Sequence, residues 1–130
     1  MAVQGRNTIN LGEGTMGHFD VTFEVGTLDQ ARFVEVSAGV DTGSTFTQVP
    51  RTVLERLGLK PHDRVELQLA NGENVERDVG DVAVRLDGRV RLTTCVFAEE
   101  GEHALLGVIT LEQFLLGVDT INSRLVPTRG

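Results

Sequence analysis

Residues that could do chemistry are concentrated in one short run, Val40-Asp41-Thr42-Gly43-Ser44, with a second run, Leu105-Leu106-Gly107, about sixty residues further on. Hydrolysis of a peptide by carboxyl groups needs a base that takes a proton from water and an acid that gives one to the carbonyl oxygen. Two carboxyl groups about 3 Å apart serve both purposes, because like charges at that distance do not both ionise and so share one proton. An Asp at the end of a strand, followed by a small hydroxyl and a glycine, can be held for that task. Gly43 lets its amide approach the Asp41 carboxylate, the Thr42 hydroxyl is free to bond across to a neighbouring backbone, and the Ser44 hydroxyl is placed to brace the outer carboxylate oxygen. The chain has one such loop and the chemistry needs two carboxylates. The second is expected from another copy of the chain, related by a two-fold axis between the two Asp41 side chains.

Other reactive types lack a telling arrangement. Cys95 shares a strand face with Arg91, Thr93 and Phe97 and reads as a small packed hydrophobe. His18, His62 and His103 are far apart and show no metal-ligand spacing, so no metal and no cofactor is expected. Gly12-Glu13-Gly14 is followed by no Lys-Ser/Thr pair and so is not a phosphate loop. Glu99, Glu100 and Glu102 read as a solvated acidic face.

The elements that must position Asp41 are mostly strands. Val21, Phe23 and Val25 alternate with Thr22 and Glu24, a half-buried strand. A second strand over 32–40, with Val34, Val36, Ala38 and Val40 on one face, runs straight into Asp41. Pro50, then Val53, Leu54 and Leu57 at helical spacing, then Gly58, predict a short helix. Strands follow over 65–69, 73–79, 82–86 and 90–96, with Asn71-Gly72 and Asp87-Gly88 as two-residue hairpin turns. Thr110 with Gln113 predicts a capping box that opens a second helix, with Leu111, Phe114 and Leu115 as its apolar stripe and Leu116 in the core. Leu125-Val126-Pro127 predicts a terminal strand. Residues 1–17 read as a flexible arm or an edge strand, and 18–130 as one domain.

Composition narrows the function classes. Of 130 residues, 40% are hydrophobic and 24% charged, which suits a packed globular fold. Twelve Lys+Arg against nineteen Asp+Glu leave a net charge of -7, the wrong sign for gripping phosphate backbones, so no nucleic-acid partner is expected. No apolar run has the length of a membrane span and the N-terminus lacks a signal-peptide layout. A single cysteine suits a reducing cytoplasm.

On Val40-Asp41-Thr42-Gly43-Ser44, the following Thr47-Gln48-Val49-Pro50, and Leu105-Leu106-Gly107, the sequence resembles the retropepsin-like aspartic proteases, the single-lobed homodimeric relatives of pepsin, in their bacterial and archaeal form. Thr110-Leu111-Glu112, and Val118-Asp119 through to Leu125-Val126-Pro127, match that family's closing helix and strand, so the resemblance covers about residues 18–127. It implies a mainly β fold: a small closed antiparallel β-barrel of the acid-protease type with two short helices. It implies that Asp41 is catalytic, that Thr42 makes a hydrogen bond across the dimer and that Gly43 and Ser44 shape the loop, with Leu105, Leu106 and Gly107 as supports behind it. The hairpin at about Arg64–Asp78 becomes the flap over substrate, with Leu69, Ala70, Asn71 and Gly72 at its tip. The acidic residue and arginine that retroviral members pair near the two motifs are replaced together by Thr45 and Val108, which leaves no orphan charge. The flap tip carries a single glycine, Gly72.

The implied function is an aspartic endopeptidase whose partners are itself and a peptide or protein substrate. A competing reading keeps the dimeric fold as a catalytically inactive peptide-binding or assembly module. A third, an unrelated small barrel, predicts no contact between the Asp41 loop and Leu105–Gly107.

Overall fold

The computed structural model describes residues 3–4, 6–10, 15–69 and 71–128, with side chains described from Phe19 onward. It is mainly β, with two short helices. The strands are β1 (Val3–Gln4), β2 (Arg6–Asn10), β3 (Thr15–Gly26), β4 (Phe33–Val40), β5 (Thr47–Pro50), β6 (Asp63–Gln68), β7 (Asn74–Leu86), β8 (Arg89–Ala98), β9 (Leu105–Leu106), β10 (Leu116–Asp119) and β11 (Arg124–Pro127). The helices are α1 (Arg51–Arg56) and α2 (Val108–Gln113).

Period-two patterning does what it should. On β3, Phe19, Val21, Phe23 and Val25 are all buried, and on β4 so are Val36, Ala38 and Val40. They meet Leu54 and Leu57 of the first helical segment, Phe97, Leu106, Leu111 and Phe114 in one core. Ladder pairings run from β3 through β4, β9, β5, β8 and β7, and β7 pairs back onto β3 at Glu24–Gly26. A separate three-stranded sheet has the order β1-β11-β10, and β2 pairs with β3.

The ladders are not all antiparallel, which corrects the antiparallel barrel expected from the sequence. β4 runs parallel to β9 and β5 runs parallel to β8. Both parallel pairings flank the Asp41 loop, where the chain must leave one strand and return beside a distant one, a geometry that hairpins do not provide.

Four local expectations are corrected. The segments 73–79 and 82–86 form one strand, β7. Its first half pairs with β6 and its second with β8, so the buried face changes near Gly80 and the apolar phase shifts there without a break in the chain. Asn71-Gly72 is not by itself a two-residue turn: the Leu69 amide donates to the Glu73 carbonyl, Gly72 donates to the Leu69 carbonyl, and Gly72 takes a φ of 88°. Ala70, placed at that tip from sequence, lies outside the described residues. Asp87 and Gly88 do form a two-residue turn, with φ of 55° and 76°.

The capping box at Thr110 is absent, because α2 begins two residues earlier. Its N-cap is Gly107, and no side chain caps it. Leu115 lies off the apolar stripe, 62% exposed at a φ of 57°, because the helix has ended before it. Phe114 and Leu116 are buried as expected.

Candidate active site

Asp41 stands at the mouth of a loop that leaves β4 and re-enters as β5. Its side chain is partly exposed, Thr42 and Gly43 are exposed, and Ser44 is half-buried. The Gly43 amide donates to Asp41 Oδ1 at 2.9 Å, the close approach for which a glycine was expected. A Cβ on Gly43 would lie 3.2 Å from that same oxygen. The Ser44 amide donates to the Asp41 carbonyl at 3.1 Å, closing the turn. The Ser44 hydroxyl departs from the expected role. It donates to the carbonyl of Phe46 at 2.9 Å, so its single hydrogen braces the loop's return and not the carboxylate.

The Leu105-Leu106-Gly107 run is wedged against this loop. Gly39 donates to the carbonyl of Ala104 at 3.0 Å and Asp41 to that of Leu106 at 3.1 Å. From the other side, Val108 and Ile109 donate to the carbonyls of Ser44 and Thr45 at 2.8 and 3.2 Å. These two amides open α2, so the loop carrying Asp41 caps the helix from outside. The contact rules out the unrelated barrel that predicted none. Gly107 is required by space: a Cβ there would sit 2.4 Å from the carbonyl carbon of Phe46 and 2.8 Å from the amide of Thr47. Leu106 is fully buried, whereas Leu105 keeps part of its side chain exposed beside Gly39.

Behind the loop lies a buried hydroxyl chain that the sequence did not reveal. The Gly107 amide donates to Thr47 Oγ1 at 3.0 Å, Thr47 and Thr110 hydroxyls are 2.7 Å apart, and Thr110 and Thr93 are 3.2 Å apart. All three threonines are buried. Each hydroxyl can pass one hydrogen to the next, so the chain satisfies itself in the dry interior. The available signal was the place of Thr47 and Thr93 at inward positions of their strands. Thr110 could not be read the same way, because a helix-start pattern explained it equally well.

The expected flap is the hairpin of β6 and β7. Leu67 pairs with Val75 and Val65 with Arg77 on one face, while Arg64 pairs with Asp78 and Glu66 with Glu76 on the other. Its base is held by ion pairs. Arg51, in the first turn of α1, reaches Asp78 at 2.6 Å and Glu99 at 3.1 Å, and Arg77 reaches Glu102 at 2.8 Å. Glu99 and Glu102 are therefore ion-paired, not merely a solvated face. Hydrogen bonds from Arg51 and Arg64 hold the Asp78 carboxyl below its ordinary value, and Arg77 does the same for Glu102. His62 stands 3.1 Å from Asp81.

Cys95 is fully buried, and desolvation pushes its thiol up to about 12. It stays protonated and cannot act as a nucleophile at neutral pH. Among the described residues no group of three or more His, Cys, Asp or Glu side chains is arranged to hold a metal ion. No helix among them is long and apolar enough to cross a membrane.

Residues 21–120 match the sequence model of a family described as aspartyl protease. No curated protein sequence matches the chain. In structure it is similar to a retropepsin-like aspartic protease from Rickettsia conorii, with a TM-score of 0.58, 19% identity, and 96% of this chain and 86% of that one covered. It is also similar to the EIAV protease in complex with the inhibitor HBY-793, with a TM-score of 0.57 and 18% identity over 82% of this chain and 93% of that one. A Legionella pneumophila protein of unknown function shares the fold at a TM-score of 0.50 and 16% identity, covering 81% of this chain and 91% of that one. The structural likeness at these identities is one of fold, and the sequence match over most of the chain carries the assignment: this chain belongs to the aspartyl protease family.

Proposed function

We propose that the protein is an aspartic endopeptidase that works as a homodimer on a small closed barrel, with Asp41 of each copy forming a shared-proton dyad. One observation carries this reading. Each chain has a single Asp41-Thr42-Gly43-Ser44 loop, braced on both sides by backbone bonds to 106–109, and its carboxylate keeps open surface. So rigid a mount for a lone carboxylate makes sense when a second one meets it.

In the reaction one Asp41 is ionised and takes a proton from water as the oxygen attacks the scissile carbonyl carbon. The other is protonated and gives its proton to the carbonyl oxygen. The tetrahedral intermediate collapses as the C–N bond breaks and the amine leaves with a proton from the dyad. The two carboxyls titrate as a pair, so neither has a value of its own. Thr42 serves the bond across the two-fold axis, and the β6–β7 hairpin covers an extended peptide, with Leu69, Asn71 and Gly72 at its tip. The reading requires no cofactor and suits a reducing cytoplasm, where Cys95 remains a thiol.

The test is Asp41→Asn in purified protein, with a peptide-library digest and sedimentation at micromolar concentration. Loss of all cleavage with the dimer retained supports the reading. Cleavage that survives the substitution, or an active strict monomer, overturns it.

A further inference from the structure

The β6–β7 hairpin is poorly attached for an element of its length. Val65, Leu67 and Val75 are half-buried and lie outside the hydrophobic core. Among the described residues, β6 is the last strand of its sheet and pairs with β7 alone. Among the described residues, side-chain hydrogen bonds join residues 63–78 to the rest of the protein in two places, Asp78 to Arg51 and Arg77 to Glu102.

Those two bonds grip neighbouring residues of one strand, whose side chains point to opposite faces. Glu102 holds Arg77 on the face that carries Leu67 and Val75, through two hydrogen bonds of 3.0 and 2.8 Å. Arg51 holds Asp78 on the other face at 2.6 Å. The two grips are joined to each other. Arg51 also bonds Glu99 at 3.1 Å, and the Glu99 amide donates to Glu102 Oε1 at 2.7 Å. The ring of contacts Asp78–Arg51–Glu99–Glu102–Arg77 thus closes on adjacent residues of β7. The four ion-paired side chains at the strand are 17–26% exposed, less open than the Arg85–Glu24 pair at 38–39%. Partial burial lessens the screening that makes open surface pairs weak, and the exposure that remains lets concentrated salt reach both pairs.

The same loop runs on into the site. His103 accepts from Gln48 through its carbonyl at 2.7 Å and Ala104 accepts from Gly39 at 3.0 Å, immediately before Leu105. The 99–104 segment therefore touches the hairpin base at one end and the strand bearing Asp41 at the other.

We propose that Arg51 and Glu102 are positioning residues: an opposed pair of ionic clamps that fixes the hinge of the hairpin at Arg77–Asp78 and ties its angle to the Asp41 loop. The described residues beyond the clamps, 65–69 and 71–75, are the part that moves over a bound peptide. This rests on reading the hairpin as a flap over substrate.

The experiment is amide hydrogen exchange by mass spectrometry on the wild type, Arg51→Met, Glu102→Gln and the double variant, with Arg51→Lys as the conservative control. The clamp predicts exchange in peptides from 63–78 faster by about five-fold or more in each single variant, with exchange in 19–25 unchanged. Arg51→Lys restores part of the protection, and the double variant shows less than the sum of the two effects, because the grips share one ring. Wild-type protein taken from about 0.05 M to about 1 M NaCl shows the same selective loosening, which needs no variant to fold. In cleavage assays the single variants raise KM more than they lower kcat. Exchange over 63–78 that is indifferent to both substitution and salt overturns the clamp, whatever the activity. A clamp that responds in a protein that cleaves no peptide overturns the protease reading and leaves the hinge standing.

Discussion

The amide of Val108 donates to the carbonyl of Ser44 at 2.8 Å, so the loop that carries Asp41 caps the helix that follows Leu105-Leu106-Gly107. With the Ile109 to Thr45 bond on the same side and the Asp41 to Leu106 bond on the other, the Asp41 loop and the 105–109 segment are one hydrogen-bonded unit.

Gly107 is where that unit tolerates least. A methyl group there meets backbone atoms of Phe46 and Thr47, which cannot swing aside as a flexible side chain would. Gly107→Ala is expected to cost about 1–3 kcal/mol, and to displace the loop so that cleavage falls further than stability does. Urea unfolding alongside peptide cleavage checks this, and an unchanged midpoint with unchanged cleavage would refute it.

How far this site could be read from sequence follows from what each residue's pattern encodes. Asp41 and its strand were legible because alternation over 34–40 ends at a turn-forming Asp-Thr-Gly. Gly107 was legible as a support through its motif, but the reason, contact with Phe46, is a long-range packing fact that no local pattern contains. Thr110 was misread because its short polar side chain suits both a helix cap and a buried bond, and the tertiary partners Thr47 and Thr93 decide between them. The ion pairs of Arg51 with Asp78 and Arg77 with Glu102 join residues 27 and 25 positions apart. In sequence they are ordinary surface charges.

The threonine chain predicts its own cost. Thr110→Val keeps the shape and removes the hydroxyl shared by Thr47 and Thr93, leaving buried Thr93 without its partner and Thr47 with the Gly107 amide alone. The loss is about 1–3 kcal/mol by denaturant titration. Thr110→Ser, which retains the hydroxyl, is expected to lose less. Equal losses in the two variants would show that packing, and not hydrogen bonding, is what Thr110 supplies.

Acid should loosen the hairpin base. Asp78 and Glu102 titrate below their ordinary values of 3.8 and 4.5 in the folded protein. A carboxylate lowered on folding binds fewer protons than it does unfolded. It therefore adds stability that is fully present above the ordinary value and disappears as pH falls through the lowered one. Thermal unfolding from pH 7 down to pH 2 should show that part of the stability holding to about pH 5 and then declining. Asp78→Asn, which cannot titrate, should flatten the decline. A slope identical in the variant and the wild type would contradict it.

The dyad across two copies is tested most directly by mixing wild-type and Asp41→Asn protein at fixed total concentration, allowing subunits to exchange, and measuring peptide cleavage against the wild-type fraction. If each centre needs an Asp41 from both subunits, activity follows the square of that fraction, about one quarter at an equal mixture. Activity that falls in simple proportion, about one half at the same point, would mean that each chain works alone and would contradict the account.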